Sequence, residues 1–321
     1  MADAIGRRKL SIGNAWKALV FPFRHVVTVL KIGLFPALIA IFAPHAVLTA
    51  YDFFWPVNTA SSDVPDWQRF IEALSAISIV SAIICSVAAV IFAVAIHRYI
   101  IRGERPGWIL FRFGRNEIAY AAVVIITLCI YFLFKYGFAI ALFALNVGDI
   151  HRLLAIDPLQ DLPIWQLPRH IQLFWAVTIC LLIYLSVRLS LAFPHGAVTG
   201  TVSFRRSWSA TRGNFWRFMI MIVLFSLPLL LAVIAYMGLF AVFSFQSLFP
   251  LPPPGQSAEH IGSQLIHTLL LFNSIAVPIE GLFLAMFVAL ISYTYKNLVP
   301  DEAELPQQDL AAEPLATPQP S

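Results

Sequence analysis

The chain has 321 residues, of which 60% are hydrophobic and only 12% charged, with a formal net charge of +4 and a mean hydropathy of +0.80. That composition excludes an ordinary soluble domain, where charged residues make up about a quarter, and leaves an integral membrane protein. The 15 glycines give little room for a glycine-rich phosphate loop or ion filter, and the basic residues sit in short loops between apolar runs, where topology explains them without nucleic acid.

Residues 1–24 form a basic N-terminal segment. Within it SIGNAWKALVFPF, from Ser11 to Phe23, places Ile12, Trp16, Leu19, Val20 and Phe23 on one helical side with Asn14 and Lys17 opposite, which predicts a short interfacial helix. A six-span membrane domain is expected over 25–298. The first apolar run, about 25–50, is longer than a roughly 30 Å hydrocarbon core requires at about 1.5 Å per residue, and its length, Lys31 and Pro36 argue against a cleavable signal. The second span, about 72–100, carries Ser81, Cys85, Ala89, Ala93 and His97 at every fourth position, a stripe that reads as a helix-packing face. The third, about 118–145, holds Lys135 toward its far end; the fourth, about 171–193, contains Arg188. The fifth, about 218–245, and the sixth, about 265–298, are interrupted by Pro228 and Pro278, and the sixth also holds Glu280. Residues 299–321 form an acidic, proline-rich tail expected to be disordered.

Charge placement orients the spans. Arg7, Arg8, Lys9, Lys17 and Arg24 precede the first; Arg98 at the end of the second span is followed by Arg102, Arg105, Arg112 and Arg115; Arg188 near the end of the fourth is followed by Arg205, Arg206, Arg212 and Arg217; and Lys296 closes the sixth. The opposite side receives Arg69, Arg152 and Arg169. By the positive-inside rule both termini are expected in the cytoplasm. Cys85, Cys129 and Cys180 each lie near the middle of an apolar run with no CxxC spacing, which reads as packing.

The first, third and fifth spans are each entered through a basic aromatic segment: NAWKALVFPFRH, GWILFRFGRNE and SWSATRGNFWRF. The unit recurs about every 95 residues and predicts three helical hairpins, each introduced by an interfacial helix. The fold class is therefore all-α: a polytopic membrane helical bundle of six transmembrane helices plus about three interfacial amphipathic helices.

RLSLAFP at 188–194 followed by SFRRSWSATRGNFWRF at 203–218 resembles the Arg-x-Ser-x-Ala-x-x-Pro, then Ser-Trp-x-x-Thr-x-Gly-Asn-Phe-x-Arg pattern of bacterial six-helix inner-membrane proteins of unassigned activity. That group includes the membrane domain accompanying some glycerophosphodiester phosphodiesterases. HRYIIRGERPGWILFRFGRNE, from His97 to Glu117, is similar to a His-Arg, Gly-Glu, Arg-Phe-Gly-Arg pattern in related proteins. The resemblance implies a multi-pass protein of the bacterial inner membrane, not an activity. The catalytic barrel of such fusions is missing from these residues, and PHGAVTG departs from the group's usual continuation.

Polar residues within spans are the first places to look for function, because burying them is costly. The candidates are Lys31, Lys135, Arg188 and Glu280, with pairs of Glu280 with Lys135, and of Arg188 with Glu117 or Glu104, as hypotheses. His45, His151, His170, His260 and His267 gather on the far side without HExxH or close-pair spacing, so no metal site is assigned; neither GxSxG, a Walker loop nor GxGxxG occurs, so no catalytic residue or cofactor is assigned. Gly196 and Gly200 form a GxxxG that would be weak evidence for dimerisation. The leading expectation is a non-enzymatic protein that engages membrane lipids, with other membrane proteins or a second copy as further partners. Its headgroup or interface candidates are Trp16, Arg102, Arg105, Trp108, Arg112, Arg115, Arg205, Arg206, Trp208, Arg212 and Trp216. The alternatives are a transporter or permease-like subunit using Lys31, Lys135 and Glu280, and an intramembrane lipid-modifying enzyme, which would need acid, base or metal ligands gathered at one depth.

Overall fold

A backbone in hydrocarbon must satisfy its own hydrogen bonds, and this chain does so with helices. The computed structural model describes residues 9–54, 66–104, 114–145, 169–248 and 258–299. The helices are α1 (Gly13–Arg24), α2 (Val26–Phe54), α3 (Asp66–Arg102), α4 (Arg115–Leu145), α5 (Arg169–Leu189), α6 (Ala192–Thr199), α7 (Phe204–Thr211), α8 (Phe215–Leu248) and α9 (Ala258–Leu298). Among the described residues there is no strand. Six helical stretches are long and apolar enough to cross a membrane: Val26–Ala43, Ile79–Arg102, Arg115–Phe134, Ala176–Thr199, Phe215–Gly238 and Ala276–Leu298. The protein is an all-α, multi-pass membrane bundle.

Among the described residues the core sits toward the basic end of the bundle. There Ile96 and Ile101 of α3, Val123 of α4, Leu191, Met221 of α8 and Leu290 of α9 are fully buried. Large apolar side chains farther along the spans, such as Ile83, Leu133, Leu173 and Leu231, are exposed. Lipid-facing apolar surface of this kind suits a bundle in which hydrocarbon competes on equal terms with helix–helix contact, so tight packing develops where small and polar residues meet.

The pairing of α3 with α9 shows this. Both run toward the basic end, so they are parallel, and their register is fixed by His97 Nδ1 to Ser292 Oγ at 2.7 Å and by Lys296 Nζ donating to the Ile100 carbonyl at 3.3 Å. Ala93 of α3 and Ala285 and Ala289 of α9 are buried, allowing close approach. On its other side α3 meets α2, where a Cβ on Gly33 would stand 3.0 Å from the Phe92 ring and the Cys85 thiol lies 3.9 Å from the Ala40 carbonyl. Along the expected stripe Ser81, Ala93 and His97 are buried, and Cys85 and Ala89 are half-buried.

The apolar rod of the fourth span does not run straight through. It turns at Ser190 and Leu191, where the Ser190 hydroxyl donates to the Val187 carbonyl at 2.9 Å, and resumes as the buried α6. Gly196 lets α6 lie against the α4 backbone: a Cβ there would already be 3.5 Å from Ala119 and from the Tyr120 nitrogen. Gly200, at φ +68°, ends α6 in the left-handed region, with its N–H donating to the Gly196 carbonyl at 2.9 Å. The two glycines of the GxxxG thus serve packing and termination within the chain.

Helix α1 corrects one detail of the sequence reading. Asn14, expected on the polar side, is buried with Ala15, Ala18 and Phe21, whereas Ile12, Trp16 and Phe23 are exposed. The protein-facing side is the one with the small residues, and the bulky apolar stripe is left exposed. Asn14 is accommodated because its amide reaches the Tyr293 carbonyl near the end of α9.

Candidate functional site at the basic end

Three clusters gather at the basic end. The first joins α3 to α4. Gly103, at φ +67°, turns the chain out of α3, and Glu104 then accepts from Arg98 Nε at 2.8 Å and pairs with Arg102 at 3.4 Å. Glu117, on the first turn of α4, accepts the Gly114 N–H at 2.9 Å, one half of a capping box, and faces Arg98 Nη1 at 3.7 Å. Of the His-Arg, Gly-Glu and Arg-Phe-Gly-Arg pattern singled out in the sequence, Arg98, Gly103, Glu104 and Gly114 are parts of this clasp. Glu104 and Glu117 are both engaged by α3 arginines, so the suggested pair of either with Arg188 is not formed.

Arg188 instead lies in an aromatic enclosure. Its guanidinium carbon is 5.1 Å from the Tyr184 ring centroid, 5.2 Å from Trp208 and 5.7 Å from Phe215. Helix α7 is docked onto the end of α5 by Ser207, whose hydroxyl donates to the Arg188 carbonyl at 2.6 Å, satisfying a carbonyl that the helix end leaves open. Arg188 Nη1 donates to Thr211 Oγ1 at 3.3 Å and, more weakly, to the Trp208 carbonyl at 3.5 Å. Arg188 and then Ser207, Trp208, Thr211 and Phe215, which belong to the quoted motif, build this enclosure together with Tyr184. Gly213, at φ +81°, and Asn214 complete the motif: the buried Asn214 side chain accepts the Leu10 N–H at 3.1 Å, tying the start of α1 to the start of α8.

The third cluster is buried. His97 is fully enclosed, its ring 5.6 Å from that of Tyr120. Because the Ser292 hydroxyl already donates to the Val288 carbonyl at 2.7 Å, it accepts from His97, which fixes the proton on Nδ1 and leaves Nε2 without a partner. On α6, His195 Nδ1 meets the Tyr295 hydroxyl at 3.0 Å and Nε2 meets Thr201 Oγ1 at 3.3 Å. A Ser–His pair so arranged is not a nucleophile and base: the serine proton is directed at a backbone carbonyl and the site is closed to substrate. Sequence reading missed Ser292 and Tyr295, and met Asn214 and His195 only within the SWSATRGNFWRF and PHGAVTG segments, without a partner for either.

The other expected residues fall as follows. Trp16 is 68% exposed, Trp208 40% and Trp216 75%; Arg205, Arg212 and Arg115 are exposed and Arg206 is half-buried. Arg105, Trp108 and Arg112 lie outside the described residues. Lys31 is exposed on α2 and Glu280 on α9, while Lys135 falls on α4 with its side chain outside the description, as does any pair between Lys135 and Glu280. Two open hollows flank Tyr293: one of about 340 Å³ lined by Phe21, His25, Tyr99 and Ile100 among others, and one of about 310 Å³ lined by Ser11, Asn14, Lys17, Lys296 and Asn297. Among the described residues no group of three His, Cys, Asp or Glu is placed to hold a metal ion.

Comparison of the chain with protein-family models, with curated proteins and with solved structures finds no match to any of them.

Proposed function

We propose that this membrane protein works through its basic end, as a non-enzymatic component of a bacterial inner membrane that holds anionic lipid headgroups along the cytoplasmic leaflet. The observation that carries this reading is the outward face of α1, α7 and the start of α8. Trp16, Trp208 and Trp216 are exposed there beside the exposed cations Lys17, Arg205 and Arg212, and the opposite sides of α1 and α7 are buried in the protein. Indole rings settle at the headgroup level, and each exposed cation near an anionic surface contributes about 1 kcal/mol. The hollow bearing Lys17 and Lys296 adds donors at the same end. Changing Arg205 and Arg212 together to glutamine is expected to weaken retention of phosphatidylglycerol by the purified protein by about 2 kcal/mol at low salt. Lipid mass spectrometry after detergent exchange reads this; equal retention by the variant removes the reading.

A second reading, a transporter-like subunit, is favoured by Glu280. It is exposed on α9 two residues after Pro278. At about 1.5 Å per residue it stands about 24 Å from Lys296, well inside the span. A small membrane-impermeant thiol reagent tests it in bilayers: reaction at Cys85 means that water reaches this level, whereas an unreactive Cys85 counts against a transport path. Cys129 and Cys180, exposed on the outside of α4 and α5, are expected to react only after detergent replaces the lipid.

A further inference from the structure

We propose that Arg188 and its aromatic enclosure form a specific binding site for a phosphate group, occupied by the phosphodiester of a single glycerophospholipid. The inference rests on the lipid-engaging reading above and goes beyond it, from a diffuse basic surface to one defined site.

A guanidinium presents five N–H donors in a plane and two apolar-compatible faces. Here the aromatic rings of Tyr184, Trp208 and Phe215 lie within cation–π range, which fixes the position of the cation without neutralising it. No carboxylate is paired with it: among the described residues the ion pairs join Arg98 and Arg102 to Glu104 and Glu117. Its only hydrogen bonds among these residues leave from Nη1, at 3.3 and 3.5 Å, and Nε has no partner although solvent does not reach it. A guanidinium so held has donors to spare at Nη2, at the last turn of a spanning helix and beside the exposed Trp208.

The charge is costly at that depth unless an anion meets it, and the anion available at the junction of hydrocarbon and headgroup is a phosphate. Exposed Arg212 follows Thr211 directly in the chain, and Arg205 lies on the same short helix, so the field there is positive throughout. The roles divide cleanly. Arg188 binds, the aromatic rings orient it, and Ser207 and Thr211 hold α7 in place over it.

The test uses the full-length protein in nanodiscs of neutral lipid, titrated with dioleoyl phosphatidylglycerol or with dioleoylglycerol, which has the same chains and no phosphate, and read by native mass spectrometry of retained lipid. One saturable phosphatidylglycerol site is expected, with at least about tenfold preference over dioleoylglycerol. Arg188→Lys keeps the charge and a cation–π contact with the rings but loses the planar donor array, and is expected to weaken that site about tenfold at unchanged melting temperature. Arg188→Gln is expected to abolish it. Should Arg188→Gln fail to fold, Arg188→Lys still decides. The Arg205/Arg212 double variant is expected to keep the saturable site while losing the salt-dependent background, so the two proposals fail separately. Unchanged affinity in Arg188→Lys overturns the site. Displacement of phosphatidylglycerol by millimolar inorganic phosphate overturns the lipid assignment in favour of free phosphate, and no preference for phosphatidylglycerol over dioleoylglycerol overturns the phosphate site itself.

Discussion

Replacing His97 with alanine is expected to cost about 3 kcal/mol of stability, the largest loss from any single side chain considered in this bundle. The ring is completely enclosed between α3, α4 and α9, so its removal leaves a cavity that packed helices cannot close. It also removes the 2.7 Å bond to Ser292 that sets the register of α3 on α9. Two further variants separate these effects. Asparagine places an amide N–H where Nδ1 stood and keeps the donor to Ser292 with less volume; leucine fills the volume and loses the donor. Because Ser292 keeps its own bond to the Val288 carbonyl, leucine leaves only an unmet acceptor, and a loss of about 1 kcal/mol is expected for it. Thermal unfolding in a fixed detergent gives the order: alanine lowest, asparagine and leucine between it and the parent protein. A melting temperature unchanged by alanine would mean that the α3–α9 pair does not hold the core.

Such pairings explain what could and could not be read from the chain. The helical class and six spans follow from runs of apolar residues long enough for a bilayer, a one-dimensional property that the backbone's need for internal hydrogen bonds converts directly into helices. Depth was legible too, since residues on straight rods count out at a fixed rise. Rotation was not. Whether Asn14 faces water or Tyr293, and whether Arg188 meets Glu117 or Trp208, depends on which neighbour stands beside the helix; the contacts that decide it join Asn14 to Tyr293 and His97 to Ser292 across nearly the whole chain. The turn at Ser190 was hidden because the apolar run continues across it, and α6 is recognisable only by what Gly196 and Gly200 touch. The basic aromatic segments have a structural part that their composition did not show. In the second loop they build a clasp, and in the fourth they build an enclosure around a cation that sequence alone had placed among the intramembrane polar residues.

Replacing Glu117 with alanine is the second large effect, expected at about 2 to 3 kcal/mol, and it tests the clasp. Glu117 is only 6% exposed, and its two oxygens face different partners: Oε2 accepts the Gly114 N–H and Oε1 stands 3.7 Å from Arg98. Alanine leaves the Gly114 N–H, at the cap of α4, without its acceptor, costing about 1 kcal/mol as other helix caps do. It also removes a partly buried countercharge from Arg98, which then relies on Glu104 alone. Glutamine keeps a carbonyl oxygen for Gly114 and gives up the charge, so it is expected to recover the capping share and no more. Hydrogen exchange distinguishes the two contributions by place. Loss of the cap raises exchange at the start of α4, from Asn116 to Ala119, in the alanine variant only, whereas loss of the charge raises exchange at the end of α3 in both. If neither helix end loosens, the motif residues around Glu117 are not holding the structure, and their presence in the second basic loop would then have to be explained by what that loop binds.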